Sequence, residues 1–240
     1  MTDFLRHYAK QEYLTPGAAE TVDLIAESVS PDESTLLLDV ACGKLEAACH
    51  LASYFACRIV AVDIYDPFIH YAAAKAWFFN LRDLIAVVRA DGKELPVRSG
   101  VFDDAYCIGA PYIVGLEPCL RELARAVKPG GRVIVSDIVW RTKSDAPLGR
   151  EWGWVAAMDP ELSLDEYVRA VEEAGLRVQR THIHPRSAWD DYWRPMLEVA
   201  REARTEGDAA FADQTESGVD LERRAVDAFL DYATFIARKP

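Results

Sequence analysis

Short apolar runs alternate along this chain with segments whose pattern is helical. The runs predict strands at residues 35–40, 58–63, 84–89, 102–108 and 132–137, and the segments predict helices at 18–28, 45–55, 67–80 and 117–127. The last of these helices ends at Lys128-Pro129-Gly130-Gly131, where proline and glycine cannot continue it. Strands separated by helices predict an α/β fold with a doubly wound, mostly parallel sheet.

The pattern changes after the fifth strand. Residues 140–160 are rich in Trp, Pro and Gly, which indicates a loop or a lid. A helix is predicted from Ser163, a capping-box residue with Glu166, to Gly175, followed by a strand at 176–183. Helices at 189–205 and 219–229 would form an insertion before a last strand at 232–238, although that tail could also extend the preceding helix.

The composition and net charge of the chain limit the fold, the partners and the location that we expect for the protein. Half of the 240 residues are hydrophobic, which suits one domain over residues 1–240, and the net charge of −12 argues against nucleic acid as a partner. The start of the chain does not resemble a signal peptide, and no apolar run approaches the ~18 residues that a membrane span needs. Five cysteines without a CxxC pair indicate buried thiols in a reducing compartment. We therefore expect a cytoplasmic protein with no membrane partner, and its oligomeric state, a homodimer included, stays open.

Acidic or small residues follow four successive predicted strands. They are Asp39 with the turn Ala41-Cys42-Gly43, then Asp63, then Asp91-Gly92, then Ile108-Gly109. Each alone is commonly a turn or cap. Parallel strands bring their carboxyl ends to one edge of a sheet, so together these residues predict one groove, which suits a nucleotide-like cofactor.

The segments around this groove resemble the class I S-adenosylmethionine-dependent methyltransferases, in particular the branch that modifies small molecules. The resemblance rests on LLLDVACGKLEAACHLA (36–52), RIVAVDIYDPFIHYA (58–72), VVRADGKELPVRSGVFDDAYCIGA (87–110) and LRELARAVKPGGRVIVSD (120–137), with TPGAAETV (15–22) before them. It implies a Rossmann-like fold, S-adenosyl-L-methionine as cofactor, and methyl transfer to a small-molecule acceptor by in-line SN2 displacement. The cofactor half would be 30–140, with acceptor-side lid elements at 1–20, 140–160 and 185–230.

The resemblance also implies roles for individual residues. Asp39 would organise the loop, Asp63 would accept hydrogen bonds from the ribose hydroxyls, and Asp91 would take the adenine amino group. Ile64 would pack beside the adenine, and Pro16-Gly17 would lie near the cofactor. The cofactor-binding residues that the resemblance implies are Asp39, Ala41, Cys42, Gly43, Asp63, Ile64, Asp91, Gly92, Ile108 and Gly109.

Leu45 departs from the family pattern, which has glycine at this position. A side chain there would point toward the amino-acid end of the cofactor, and a positive φ would cost leucine ~1–2 kcal/mol. Three interpretations stay open: a shifted loop that still binds cofactor, a weakened affinity, or a protein that has lost methyl transfer and acts as a binding or scaffold module. A nicotinamide enzyme fits less well, because the GxGxxG fingerprint is missing.

The acceptor side is less defined, and no obligatory catalytic residue follows from the motifs. Tyr112, Trp140 and Trp152 are the candidates for substrate binding, with Tyr112 and His182 as catalytic candidates. Trp189 and Trp193, four apart, are expected to form an apolar helix stripe. His182 and His184 share one face of a strand, but without a third nearby ligand we predict no metal site.

Overall fold

The computed structural model describes residues 6, 8–143 and 162–240. The strands are β1 (Leu36–Val40), β2 (Arg58–Asp63), β3 (Ile85–Arg89), β4 (Asp104–Ile108), β5 (Arg132–Trp140), β6 (Arg177–Ile183) and β7 (Leu230–Arg238). The helices are α1 (Ala18–Val29), α2 (Glu46–Phe55), α3 (Asp66–Phe78), α4 (Pro111–Val114), α5 (Leu116–Ala126), α6 (Leu164–Glu173), α7 (Arg186–Thr205) and α8 (Ala209–Ala228).

Across the described ranges, the strands form one sheet in the order β3-β2-β1-β4-β5-β7-β6. The first five are parallel, and β7 pairs antiparallel with both β5 and β6. Helices α7 and α8 lie between β6 and β7 in the chain. The predicted Rossmann-like α/β fold, its last strand and its helical insertion are therefore confirmed.

Several predicted elements have different bounds, and for two of them the structure shows the cause. Strand β5 continues three residues beyond its predicted end, because it pairs with β7 along a nine-residue ladder from Arg132–Arg238 to Trp140–Leu230. Helix α8 begins ten residues before its predicted start, because the Asp208 side chain caps it by accepting a hydrogen bond from the Phe211 amide at 3.2 Å. The capping box of α6, formed by Ser163 and Glu166, is confirmed.

The buried side chains of the sheet region form two large clusters. A third cluster fixes the C-terminal insertion to the end of the sheet, and it contains Trp140, Trp189, Trp193, Leu230 and Tyr232. Trp193 is fully buried and Trp189 nearly so, which confirms that they form an apolar helix stripe. The insertion is thus packed firmly enough for α7 and α8 to form a wall of a site.

Candidate functional site

A cavity of about 760 Å³ opens at the edge where the carboxyl ends of the parallel strands meet. Its volume is typical of small-molecule and cofactor sites. All ten predicted cofactor residues line it: Asp39, Ala41, Cys42, Gly43, Asp63, Ile64, Asp91, Gly92, Ile108 and Gly109. Tyr112 and Pro16 line it as well. The structure thus brings together residues that are up to 96 positions apart in the chain.

The loop between β1 and α2 adopts the left-handed conformation at alternate residues. Ala41, Gly43 and Leu45 have φ angles of 59°, 51° and 68°. Leu45 therefore does take the conformation that favours glycine, with the cost expected for a larger side chain. Its side chain, however, is fully buried in the same core cluster as Ile25 and Leu51 and does not line the cavity. The leucine is accommodated without filling the groove.

Asp63 fixes this loop from the neighbouring strand. One carboxylate oxygen, Oδ2, accepts a hydrogen bond from the Gly43 amide at 2.9 Å, and the other, Oδ1, accepts one from the Tyr65 amide at 2.9 Å. The carboxylate is nearly buried yet lines the cavity. Because each oxygen has more than one lone pair, the group can accept further hydrogen bonds from a ligand's hydroxyls.

Asp39 is the most perturbed acid of the site. Its carboxyl is 3% exposed, and Oδ2 has no hydrogen-bond partner among the described residues. Burial raises the pKa of Asp39 to about 8; the neighbouring Tyr106 hydroxyl lowers this pKa and the Asp63 carboxylate raises it further. An unpaired buried carboxyl oxygen that lines a cavity is suited to a cationic or hydrogen-bond-donating ligand group.

Two exposed side chains and a close backbone approach complete this half of the cavity. Asp91 is exposed, and its Oδ1 accepts a hydrogen bond from the Lys93 amide at 2.9 Å. Ile64 is 57% exposed at the cavity wall. Gly109 has a φ of 70°, and a Cβ there would lie 2.5 Å from the side chain of Thr15. Glycine at this position therefore allows the N-terminal segment to approach β4.

Residues 8–17, which we call the N-terminal strap, cross the cavity. Hydrogen bonds to several other elements hold the strap in place. The Lys44 ammonium, which is buried, donates to the carbonyl oxygens of Gln11 and Tyr8. The Gln11 amide donates to the Tyr192 carbonyl at 2.8 Å, and the Thr15 hydroxyl donates to the Tyr232 hydroxyl at 2.7 Å. The strap thereby connects the loop after β1 with the C-terminal insertion.

The other end of the cavity is aromatic. Its wall is formed by residues from the strap, α4, α7 and β7 together with one acid from α8: Tyr8, Tyr112, Trp189, Tyr192, Tyr232 and Glu222. The Tyr8 and Tyr192 hydroxyls are hydrogen-bonded to each other. The Trp193 indole donates to Glu222 Oε2 at 2.6 Å. Such a wall suits a flat, apolar or cationic molecule.

Tyr112 lies where α4 follows β4, at this aromatic end. It is 46% exposed, but the protein around its hydroxyl raises the pKa, and the nearby Asp137, Tyr8 and Glu222 raise it further. The phenol therefore stays protonated at neutral pH. It can orient an acceptor through a hydrogen bond, but it is a poor general base.

Two predicted acceptor-side residues, His182 and Trp140, do not line the cavity. His182 lies on β6, an edge strand two positions beyond β5, and it does not line the cavity. Trp140 is 1% exposed and packs against Phe229, because β5 continues into the third cluster. A direct role for either in the cavity is therefore not supported. Trp152 lies outside the described residues.

Sequence reasoning missed several residues that line the cavity. Lys44, Glu46, Thr15 and Glu222 belong to this group. The position of Lys44 directly after Gly43 is a local signal that could have identified it. Glu222 has no comparable signal, because the packing of α8 against α7 alone brings it to the cavity.

A sheet of this order, with a fixed acid after β2 and a tight loop after β1, defines the class I methyltransferase architecture expected from the sequence. Residues 38–135 match the family model described as a methyltransferase domain. A solved methyltransferase from Geobacter sulfurreducens, in complex with S-adenosyl-L-homocysteine, has a TM-score of 0.82 and 18% identity, covering 99% of this chain and 98% of that one. At that identity the likeness shows the fold.

Two relatives are similar to this chain over longer stretches than the family model. The 27-O-demethylrifamycin SV methyltransferase of Amycolatopsis mediterranei (strain S699) is 31% identical over 180 residues, which are 71% of this chain and 62% of that protein. The sterol 4-C-methyltransferase strm-1 of Caenorhabditis elegans is 30% identical over 116 residues, 48% of this chain and 34% of that protein. The chain thus spans less than two thirds of either relative. These matches support the predicted resemblance to the class I S-adenosylmethionine-dependent methyltransferases.

Proposed function

We propose that this chain transfers a methyl group from S-adenosyl-L-methionine to a small-molecule acceptor by in-line SN2 displacement. The observation that carries the proposal is the single cavity lined by Asp39, Asp63, Asp91 and the tight loop around Gly43. The similar proteins from Amycolatopsis mediterranei and Caenorhabditis elegans bear names of small-molecule methyltransferases, which supports the same class of acceptor.

The residues present fit this cofactor. Asp39 offers a buried, unpartnered carboxyl oxygen to the ammonium of its methionine portion, and Asp63 offers two fixed oxygens to vicinal ribose hydroxyls. Asp91 and Ile64 would hold the adenine. When bound, the cofactor supplies a methyl group that is already activated by a sulfonium.

The contribution of the chain is mainly alignment and exclusion of water. The strap and the aromatic end enclose the acceptor beside Ile108 and Gly109, so that its nucleophile can be held in line. Tyr112, as a neutral phenol, would hold the acceptor by a hydrogen bond. We place the cofactor half at 30–140, with 1–20, 140–160 and 185–230 as the acceptor-side elements, and the activity in the cytoplasm, since all five cysteines are free thiols.

The rival function, a methyltransferase fold kept as a binding module, rested on Leu45. Because that side chain is in the core and not in the cavity, the argument for lost catalysis loses its basis.

The proposal is tested by incubating the protein with methyl-tritiated S-adenosylmethionine and a panel of aromatic hydroxyl, amine and carboxylate acceptors. We expect formation of S-adenosylhomocysteine with at least one acceptor class. For no class should the unmodified protein be much slower than the Tyr112→Phe variant. Cofactor binding without turnover on any acceptor class would favour the binding module instead.

A further inference from the structure

A second cluster of potential ligands lies outside the cavity, where α1 meets the edge strand β6. Glu20, His182 and His184 place one carboxylate oxygen and two ring nitrogens within 4.8 Å of one another. Glu20 Oε1 lies 2.9 Å from His182 Nε2, and Glu20 Oε2 lies 2.7 Å from His184 Nδ1. The sequence places only the two histidines together, so Glu20 is the third ligand that the structure adds.

We propose that Glu20, His182 and His184 bind a divalent transition-metal ion of the zinc class. Two imidazole nitrogens and one carboxylate form a ligand set that zinc accepts, and water would complete a four-coordinate site. With metal–ligand bonds of about 2.1 Å, tetrahedral ligands lie roughly 3.4 Å apart. The two observed distances from Glu20 to the histidines, 2.9 and 2.7 Å, are shorter than that value, so the side chains would rotate apart to admit the ion.

The ring of His184 is already oriented as a ligand. Its Nε2 lies 2.8 Å from the Thr234 hydroxyl and 3.3 Å from the Thr21 hydroxyl, and it can donate to either. That bond would leave the Nδ1 lone pair directed at Glu20. Hydrogen bonds of this kind to the second ring nitrogen orient metal-binding histidines in general.

The second imidazole, that of His182, has a buried ring nitrogen without a hydrogen-bond partner among the described residues. His182 Nε2 is buried, and although Glu20 Oε1 is near, the approach lacks hydrogen-bond geometry and the atom has no hydrogen-bond partner in the described ranges. A metal ion between the two groups would satisfy this nitrogen. The Glu20 side chain is 44% exposed, so an ion can reach the cluster from solvent.

The site would stabilise one wall of the cavity. Gly17 lies so close to the His184 ring that a Cβ there would be 2.3 Å from Nδ1, while its neighbours Pro16 and Ala18 line the cavity. A metal that joins Glu20 to the two histidines would therefore fix the start of α1, and with it the end of the strap, against the sheet edge.

The test uses the full chain without a polyhistidine tag, stripped with a chelator and titrated with Zn²⁺ by calorimetry and with Co²⁺ by visible absorption. We expect one equivalent of Zn²⁺ to bind and Co²⁺ to give the bands of a four-coordinate site. His182→Ala and Glu20→Gln should each weaken binding by at least about tenfold. His70→Ala, an exposed histidine on α3, is the matched control and should bind like the unmodified protein.

Retained circular dichroism and thermal unfolding of each metal-free variant would show that it folds, without relying on cofactor binding. If the folded, unmodified protein binds no stoichiometric Zn²⁺, or if His182→Ala binds it unchanged, the metal site is refuted. Glu20 is then only a hydrogen-bond partner of His184. Neither result decides whether the chain transfers methyl groups, because none of the three ligands lines the cavity.

Discussion

At the scale of single residues, the loop after β1 combines backbone strain with good packing. Ala41 and Leu45 both have positive φ, where glycine is the unstrained residue. Leu45 offsets its conformational cost by burying its whole side chain in the core. Sequence reasoning identified the strain correctly, but the direction of the side chain depends on tertiary packing and could not be predicted from the motif.

Leu45→Gly should therefore destabilise the protein. It relieves ~1–2 kcal/mol of left-handed strain but removes a buried leucine, which costs about 2–5 kcal/mol as a cavity. We expect the free energy of unfolding, measured in urea, to fall by about 1–3 kcal/mol, with no gain in cofactor affinity. Ala41→Gly is the matched control and should be neutral or slightly stabilising. Tighter cofactor binding by Leu45→Gly would mean that the leucine obstructs the site.

The raised pKa of Asp39 predicts that the free energy of unfolding depends on pH. Its pKa rises from about 3.8 when unfolded to about 8 when folded, because burial disfavours the charge. The folded state therefore holds the extra proton, and stability should decline as the pH rises from about 4 to about 8, by at most about 1.4 kcal/mol per pH unit. Urea unfolding at several pH values measures this decline.

The Asp39→Asn variant isolates this effect from Asp137, whose burial raises its pKa to about 7 and which contributes in the same direction. Asparagine resembles the protonated acid, so the stability advantage of the variant over the unmodified protein should grow between pH 5 and pH 8. A constant difference across that range would show that Asp39 is ionised throughout.

At the scale of secondary-structure elements, the sheet was largely predictable and the strap was not. The apolar runs of β1 to β3 predicted their bounds to within one residue, because buried parallel strands are apolar throughout. Strand β5 was predicted too short, since its extension depends on pairing with the distant β7. The course of residues 8–17 depends on side chains such as Lys44, whose carbonyl partners have no signature in the sequence.

Lys44→Met should release the strap. It removes the buried ammonium that holds the carbonyl groups of Tyr8 and Gln11 while keeping an apolar side chain of similar length. We expect the backbone amides of residues 8–17 to exchange hydrogen faster by about tenfold, measured by mass spectrometry, with the sheet unchanged. Lys128→Met, which breaks an exposed ion pair with Asp103, should leave the strap as it is. Equal exchange in both variants would show that Lys44 does not secure the strap.

At the scale of the whole molecule, residues from both ends of the chain line the cavity at one edge of the sheet. The strap covers it from the N-terminus, and α7, α8 and β7 close it from the C-terminus. The cofactor side could be predicted from motifs because its residues follow strands directly. The acceptor side could be predicted only in part. Tyr112 follows β4 directly, whereas Tyr8 and Glu222 reach the cavity only through the packing of the strap and the insertion.

In the part of the chain that the structure describes, no helix has the length and apolar character to cross a membrane. With a net charge of −12, the molecule also repels polyanions. The enclosed, aromatic end of the cavity is the feature on which the proposed small-molecule acceptor rests.

The measurement that tests the central claim most directly is calorimetric titration of the unmodified protein with S-adenosylhomocysteine, beside Asp63→Asn. We predict micromolar binding, weakened about 10- to 100-fold in the variant because a charged acceptor of hydrogen bonds is lost. Asp66→Asn, an exposed acid at the start of α3, should bind like the unmodified protein. If the unmodified protein shows no binding, or if Asp63→Asn binds equally well, the cavity is not the cofactor site that we propose.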